Sequence, residues 1–185
     1  SVEDEFVTKL VAKMEEQKFG NPAEDFSVAY GPMINKAGLD KVSGLVERAK
    51  AAGANLVTGG EVADLGTGNY YTPTVLTGCS QDSEIIQNEV FGPVLPVNTV
   101  KDIDEAITRA NDSEYGLTSS IYTNNINTAM QACRELKFGE TYINRNNFEA
   151  MQGYHAGVRK SGIGGADGKH GLYEYTQTHM VYIQS

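Results

Sequence analysis

The chain has 185 residues, of which 40% are hydrophobic and 21% charged, a balance that supports one domain with a sizeable core and argues against wholesale disorder. A formal net charge of -9 argues against a nucleic-acid partner, because neutralising phosphates takes clustered Lys and Arg, and it disfavours an anionic membrane surface. No apolar run approaches the roughly 20 residues of a membrane span, and no basic-then-apolar leader opens the chain, so no membrane association and a cytoplasmic location are expected. Cys79 and Cys133 are the two cysteines; they lack the spacing of a zinc site or a redox pair, so neither a disulfide framework nor a metal site is expected.

In chain order, Phe6, Val7, Leu10, Val11 and Met14 stand at helical spacing over Glu3 to Lys18, with Ser1 and Asp4 as a capping pair. Turn formers then run from Phe19 to Ile34, including Asn21-Pro22 and Gly31-Pro32. A second helix begins near Asn35, presents Leu39, Val42, Leu45, Val46 and Ala49 on one face, and stops at Gly53 before a short strand over Ala54 to Thr58. Aromatic and β-branched residues predict strands over Tyr70 to Leu76 and Val94 to Val100, and Pro96 places the latter at an edge or a bulge. Thr99 and Asp102 are read as caps of a helix presenting Ile103, Ala106, Ile107 and Ala110, followed by a strand over Leu117 to Tyr122. A helix from about Asn125 to Lys137 then leads to a strand at Thr141 to Ile143, and a last strand is expected near Met180 to Ile183.

This alternation predicts an α/β fold with a mainly parallel sheet flanked by helices, since parallel neighbours need a crossover. No repeat or linker marks a boundary, so residues 1–185 are read as a single domain. The glycine-rich stretch Gly153 to Gly171 is the one long irregular segment.

Gly162-Ile163-Gly164-Gly165-Ala166-Asp167-Gly168 fails as a dinucleotide loop, because the third glycine of that fingerprint falls on Asp167 and no strand precedes it. A structural loop with glycines at positive φ is the better reading. Cys133 lines up with Ile126, Met130 and Leu136 and is read as core. Cys79 has no cation beside it to make it a thiolate. Ser161 lacks the G-x-S-x-G elbow of a hydrolase, since position 159 is Arg159. His155 and Glu149, in a loop also holding Arg145, Arg159 and Lys160, form a cluster able to bind a polar substrate or to stand as a solvated surface. Asn88-Glu89-Val90-Phe91-Gly92-Pro93 is by itself a turn, though a carboxylate beside a ring suits a ribose diol and a planar base.

Three spaced motifs occur in order: Glu89-Val90-Phe91-Gly92-Pro93, then Asn111-Asp112 with Tyr115-Gly116-Leu117, then Ser161-Gly162-Ile163-Gly164. With them the chain resembles, over nearly its whole length, the C-terminal part of the NAD-dependent aldehyde dehydrogenases. Phe138 to Arg145, Asn147 to Gly153 and Gly164 to Gly171 look specifically like the lactaldehyde dehydrogenase branch. The resemblance implies a partial catalytic domain, about residues 1–175, ending in an oligomerisation strand over about 176–185. By it, Glu89 binds the nicotinamide ribose of NAD, Phe91 helps place the nicotinamide half, and Glu149 and His155 line the pocket of a short hydroxyaldehyde such as lactaldehyde or glycolaldehyde. In the family a cysteine thiolate attacks the aldehyde, hydride passes to NAD, and a glutamate activates the hydrolytic water; by the resemblance both residues lie upstream of Ser1, so no catalytic residue is assigned here. Asn88 and Gly165-Ala166 depart from many relatives, which carry a second acid and Arg-Glu there; the second departure is the one the lactaldehyde branch implies.

Two functional classes follow. One is a piece of an NAD-dependent aldehyde dehydrogenase, inactive by itself and paired with the missing N-terminal part. The other is an inactive assembly or binding module that pairs with another chain, or with copies of itself, through the exposed edge of the strand around Met180 to Ile183.

Overall fold

A computed structural model describes residues 2–185. Where the sequence shows no boundary, backbone contacts divide the chain into two compact units, one running to Thr99 and the other from Val100 to Ser185.

The first unit opens on α1 (Glu3–Glu15), whose first turn carries Glu3, Asp4 and Glu5, charges that suit a helix N-terminus. Its N-cap is Val2, without a side-chain cap, and Ser1 of the expected capping pair lies outside the described residues. The apolar face is shallower than its periodicity implies: α1 buries no residue and Phe6 is exposed. The Phe19 to Ile34 stretch folds back on itself, bridging Phe19 to Tyr30 with their rings stacked at 5.3 Å. Asn35 caps α2 (Lys36–Ala51) by accepting the Gly38 N–H at 2.8 Å, and Gly53, at φ 100°, ends it in a conformation that favours glycine. All five expected residues, Leu39, Val42, Leu45, Val46 and Ala49, are buried, against Tyr71, Leu76, Cys79 and Ile85. Each such large side chain contributes about 1.5–3 kcal/mol of transfer free energy.

Next come β1 (Asn55–Thr58), β2 (Val62–Ala63), β3 (Tyr70–Tyr71), β4 (Thr74–Thr77), α3 (Glu84–Gln87) and β5 (Val94–Val97). The single strand expected over Tyr70 to Leu76 is two, because Thr72-Pro73 interrupts it. β1 pairs antiparallel with β4, β4 pairs parallel with β5, and β2 and β3 form a separate antiparallel pair. Pro96 sits on β5 at the sheet edge, where its missing donor is tolerated.

In the second unit Asp102 caps α4 (Ile103–Asn111), accepting the Glu105 N–H at 2.9 Å. Thr99, expected as a cap, instead bonds the Glu3 carboxylate within the first unit. β6 (Thr118–Ile121), α5 (Ile126–Glu135) and β7 (Glu140–Ile143) form a crossover with parallel strands, and Asn125 caps α5. Cys133 is exposed, as are Ile126 and Met130; the buried face of α5 is Ala129 and Ala132. The apolar line Ile126, Met130, Cys133 was expected to be core, but it is the small alanines that let α5 come close to its neighbours. Gly153 to Gly171 holds β8 (His155–Ala156), a 3-10 turn (Arg159–Ser161) and β9 (Gly165–Ala166), and α6 (Gly168–Glu174) follows. Of its glycines only Gly168 takes a left-handed φ, at 50°, joined by Asp167 at 66° and Arg159 at 57°.

The α/β content stands, whereas the mainly parallel sheet does not: among the described residues there are four small sheets, and only the β4–β5 and β6–β7 pairs are parallel. Those are the two pairs joined through a helix, α3 or α5; β2–β3 and β8–β9 lack a helical crossover and pair antiparallel, as does β1–β4. The expected C-terminal strand is not formed either: residues 176–185 lie outside every sheet and Met180, Val181, Tyr182 and Ile183 are exposed, since a strand needs a ladder partner.

Thr74 is fully buried, yet its hydroxyl is satisfied on both sides, donating to the Thr72 carbonyl and accepting the Gly60 N–H, each at 2.8 Å. Thr74→Val keeps the shape and strands both partners, so it is expected to lower stability by about 1–3 kcal/mol. Urea denaturation checks this, and an unchanged midpoint would show that the buried hydroxyl is dispensable.

Candidate functional site

In the first unit the turn after α3 is pinned at its backbone and free at its side chains. Lys41 Nζ donates to the Glu89 carbonyl at 2.9 Å. A Cβ at Gly92 would lie 2.7 Å from Val42 Cγ2, so only glycine lets this turn rest on α2. Phe91 takes φ 59° and is 74% exposed; Glu89 is also exposed, and its carboxylate has no partner among the described residues. The turn therefore projects a free carboxylate and a bare aromatic ring two residues apart.

In the second unit the chemistry gathers on β7 and β8. Glu140 and Tyr142, two apart on β7, share a face. Glu140 Oε2 accepts the Tyr142 hydroxyl at 2.5 Å, and Oε1 lies 2.7 Å from His155 Nδ1. The Glu140 side chain is 11% exposed and that of His155 34%. The hydrogen bond to Glu140 raises the His155 pKa above its ordinary value; burial opposes the rise, and the charges of Glu140, Glu149 and Asp167 add to it. Tyr142 is pushed up to about 12, first by its bond to Glu140, then by burial and the Glu140 and Glu149 charges, with Arg145 acting the other way. Its phenol is therefore a standing donor.

Glu149 is exposed and makes no hydrogen bond among the described residues, but its charge acts on both His155 and Tyr142. The structure thus brings Glu149 and His155 into one electrostatic neighbourhood, and it adds Glu140 and Tyr142, which the sequence reading missed. The i, i+2 placement of two polar side chains in Glu140-Thr141-Tyr142 was the available signal.

The basic residues of this loop all have partners of their own. Arg159 donates to the Asn111 carbonyl at 3.0 Å, the Lys137 carbonyl at 2.7 Å and the Ser113 carbonyl, and lies over the Phe138 ring at 5.4 Å. Lys160 pairs with Glu114. Arg145 stands 5.5 Å from the Tyr142 ring centre and donates to the Phe148 carbonyl. Ser161 Oγ accepts the Gly116 N–H at 2.9 Å, a structural bond and not a nucleophile's. Cys79 is buried, and burial pushes its thiol pKa up, away from the thiolate a nucleophile needs.

The first unit thus presents a free carboxylate and an aromatic ring on one turn, and the second holds a histidine against a carboxylate. The aldehyde dehydrogenase family model matches residues 1–181, and the chain belongs to that family. It is 58% identical to the lactaldehyde dehydrogenase of Escherichia coli strain K12 over 182 residues, which is 98% of this chain and 38% of that protein. The crystal structure of the Escherichia coli lactaldehyde dehydrogenase superposes with a TM-score of 0.93 at 58% identity, covering 100% of this chain and 38% of that one. A betaine aldehyde dehydrogenase from Staphylococcus aureus, solved in complex with NAD+, superposes with a TM-score of 0.86 at 36% identity, covering 94% of this chain and 35% of that one. The chain thus spans well under half the length of the relatives it matches. No helix among the described residues is long and apolar enough to cross a membrane.

Because the His155 pKa is raised in the fold, its pairing with Glu140 contributes stability that is fully present below the unfolded histidine value of about 6.5 and is lost as pH rises through the raised folded value. The melting-temperature advantage of the parent chain over Glu140→Gln is therefore expected to be larger at pH 6 than at pH 9. An advantage that grows with pH would contradict this sign.

Proposed function

We propose that this chain is the C-terminal part of an NAD-dependent aldehyde dehydrogenase that oxidises a short hydroxyaldehyde, such as lactaldehyde or glycolaldehyde, to the acid in the cytoplasm. In this reading the nucleophilic cysteine and the base for the hydrolytic water come from residues outside these 185. The order of the three motifs, ending with Ser161-Gly162-Ile163-Gly164, supports the C-terminal placement. The nature of the two cysteines supports the division of labour, since Cys79 is buried and Cys133 stands on an exposed helix face.

The observation that carries the substrate assignment is His155. One ring nitrogen is engaged by Glu140 while the side chain stays a third exposed. Nε2 is the remaining polar atom, and the Glu149 carboxylate acts on the same ring. A hydroxyl beside the aldehyde carbon would satisfy groups that an unsubstituted aldehyde leaves unpaired, the basis on which polar pockets discriminate. For the cofactor, the unpaired Glu89 carboxylate fits a ribose diol and the bare Phe91 ring fits the nicotinamide half; NAD, when bound, takes up hydride from the substrate. Gly92 and Lys41 hold the turn that presents both side chains.

A second reading, assembly with another chain, is favoured by one feature: the exposed apolar run Met180, Val181, Tyr182, Ile183, a strand-forming segment available to a sheet edge. Light scattering on the chain and on a version with Val181 and Ile183 changed to Lys is expected to show an oligomer only for the first; a monomer in both would remove this role.

In the full-length polypeptide, His155→Ala is expected to lower kcat/KM for lactaldehyde by about 2- to 10-fold more than for an unsubstituted aliphatic aldehyde, the value of one hydrogen bond. Equal losses on both substrates would refute the hydroxyl contact.

A further inference from the structure

We propose that Glu140 is the positioning residue of this pocket: it fixes the tautomer and orientation of the His155 ring so that Nε2 is the atom offered to a ligand. The proposal rests on the pocket reading of His155 and adds a residue which that reading does not contain.

The backbone brings the two side chains together. Glu140 opens β7 with its N–H on the Leu117 carbonyl at 3.1 Å and its own carbonyl accepting the Ser119 hydroxyl at 3.1 Å. The residue before it, Gly139, lies flush against β8: a Cβ there would stand 1.5 Å from the Ala156 carbonyl oxygen. Any side chain at 139 would push β8 away, so this glycine is what allows His155 to reach the Glu140 carboxylate. His155 is itself held in the ladder opposite Ala166.

The carboxylate cannot swing aside without losing its other bond. Tyr142 donates to Oε2 at 2.5 Å, and its phenol keeps its proton, leaving Oε1 for His155. A carboxylate only accepts, so the nitrogen facing it must carry the hydrogen. For neutral His155 this selects the Nδ1–H form and makes Nε2 a lone-pair acceptor; when the ring is protonated, Nε2 becomes a donor. The first state accepts the O–H of a hydroxyaldehyde, whereas the second favours a carbonyl or the carboxylate of an acid. The charged groups acting on the ring are Glu140 from β7, Glu149 from the loop after it and Asp167 from the turn after β9, with Tyr142 neutral beside Glu140. All the charges are acidic and act together to favour the protonated ring.

The test is nitrogen NMR of the chain labelled in its histidine rings, with the His155 signals assigned through a His155→Gln version. Above its titration His155 is expected to show one tautomer, with hydrogen on Nδ1 and an unprotonated Nε2. Glu140→Gln is expected to lower its titration midpoint and release the second tautomer. Glu140→Asp, which keeps the charge, should retain part of the raised midpoint, and Tyr142→Phe should retain the Nδ1–H form. Above the titration, hydrogen on Nε2 of the neutral ring in the parent chain, a reading that needs no variant to fold, would overturn the proposal, as would an unmoved midpoint in folded Glu140→Gln. These readouts are independent of substrate. Failure of the hydroxyl contact, seen as equal losses for His155→Ala on two aldehydes, leaves the tautomer where it is, and a wrong tautomer leaves that comparison untouched.

Discussion

The second unit hangs on the guanidinium of Arg159. From a left-handed backbone position it reaches the carbonyls of Asn111, Ser113 and Lys137, which belong to the end of α4, the turn after it and the exit from α5. These carbonyls lie at helix ends or just beyond them, where no intrahelical donor serves them, and a planar fork with five N–H groups can serve several at once in a way that an ammonium cannot. Asn111 closes the same junction in both directions, donating to the Glu135 carbonyl and accepting the Lys137 N–H, each at 2.8 Å. Ser161 takes the Gly116 N–H, and a Cβ at Gly116 would lie 2.9 Å from Arg159 Nη2. Asn111, Gly116 and Ser161, scattered over fifty residues of sequence, meet in one hydrogen-bonded knot. With that knot in place β8 lies against Gly139, and His155 meets Glu140.

Much of this frame was legible wherever a local rule governs it. Asn35, Asp102 and Asn125 cap helices because a short polar side chain reaches back to the N–H groups of the first turn, a cue contained within a few residues. The buried face of α2 was legible because five large apolar residues leave it no other orientation. On α5 the same reasoning failed, since Ile126, Met130 and Cys133 satisfy the periodicity and it is the alanines that decide the close approach. Sheet pairing was also beyond reach: strand direction depends on which segments find each other, and several strands are only two residues long. The partner of His155 is a third case. Glu140 lies fifteen residues away, and the contact exists because of a backbone approach that Gly139 permits.

The functional picture follows the same division. Two of the three motifs that carry family membership are structural in this fold, with Asn111 bonded to the Glu135 carbonyl and the Lys137 N–H and Ser161 to the Gly116 N–H. The side chains left free for chemistry are fewer: Glu89 and Phe91 on a turn pinned by Lys41 and Gly92, and His155 with Glu149 beside the Glu140–Tyr142 pair. None of these is a nucleophile. They are acceptors, a donor and an aromatic surface, and in the function proposed above such groups orient a substrate and a cofactor. Neither cysteine alters that balance, because Cys79 is held neutral by burial and Cys133 faces outward from α5.

The most direct measurement is NADH formation by the purified chain with lactaldehyde, at high protein concentration and alongside Cys79→Ser. A binding wall without its nucleophile predicts no turnover above the blank in either protein. Turnover by the parent chain that disappears in Cys79→Ser would contradict the account and make the buried thiol the catalytic one.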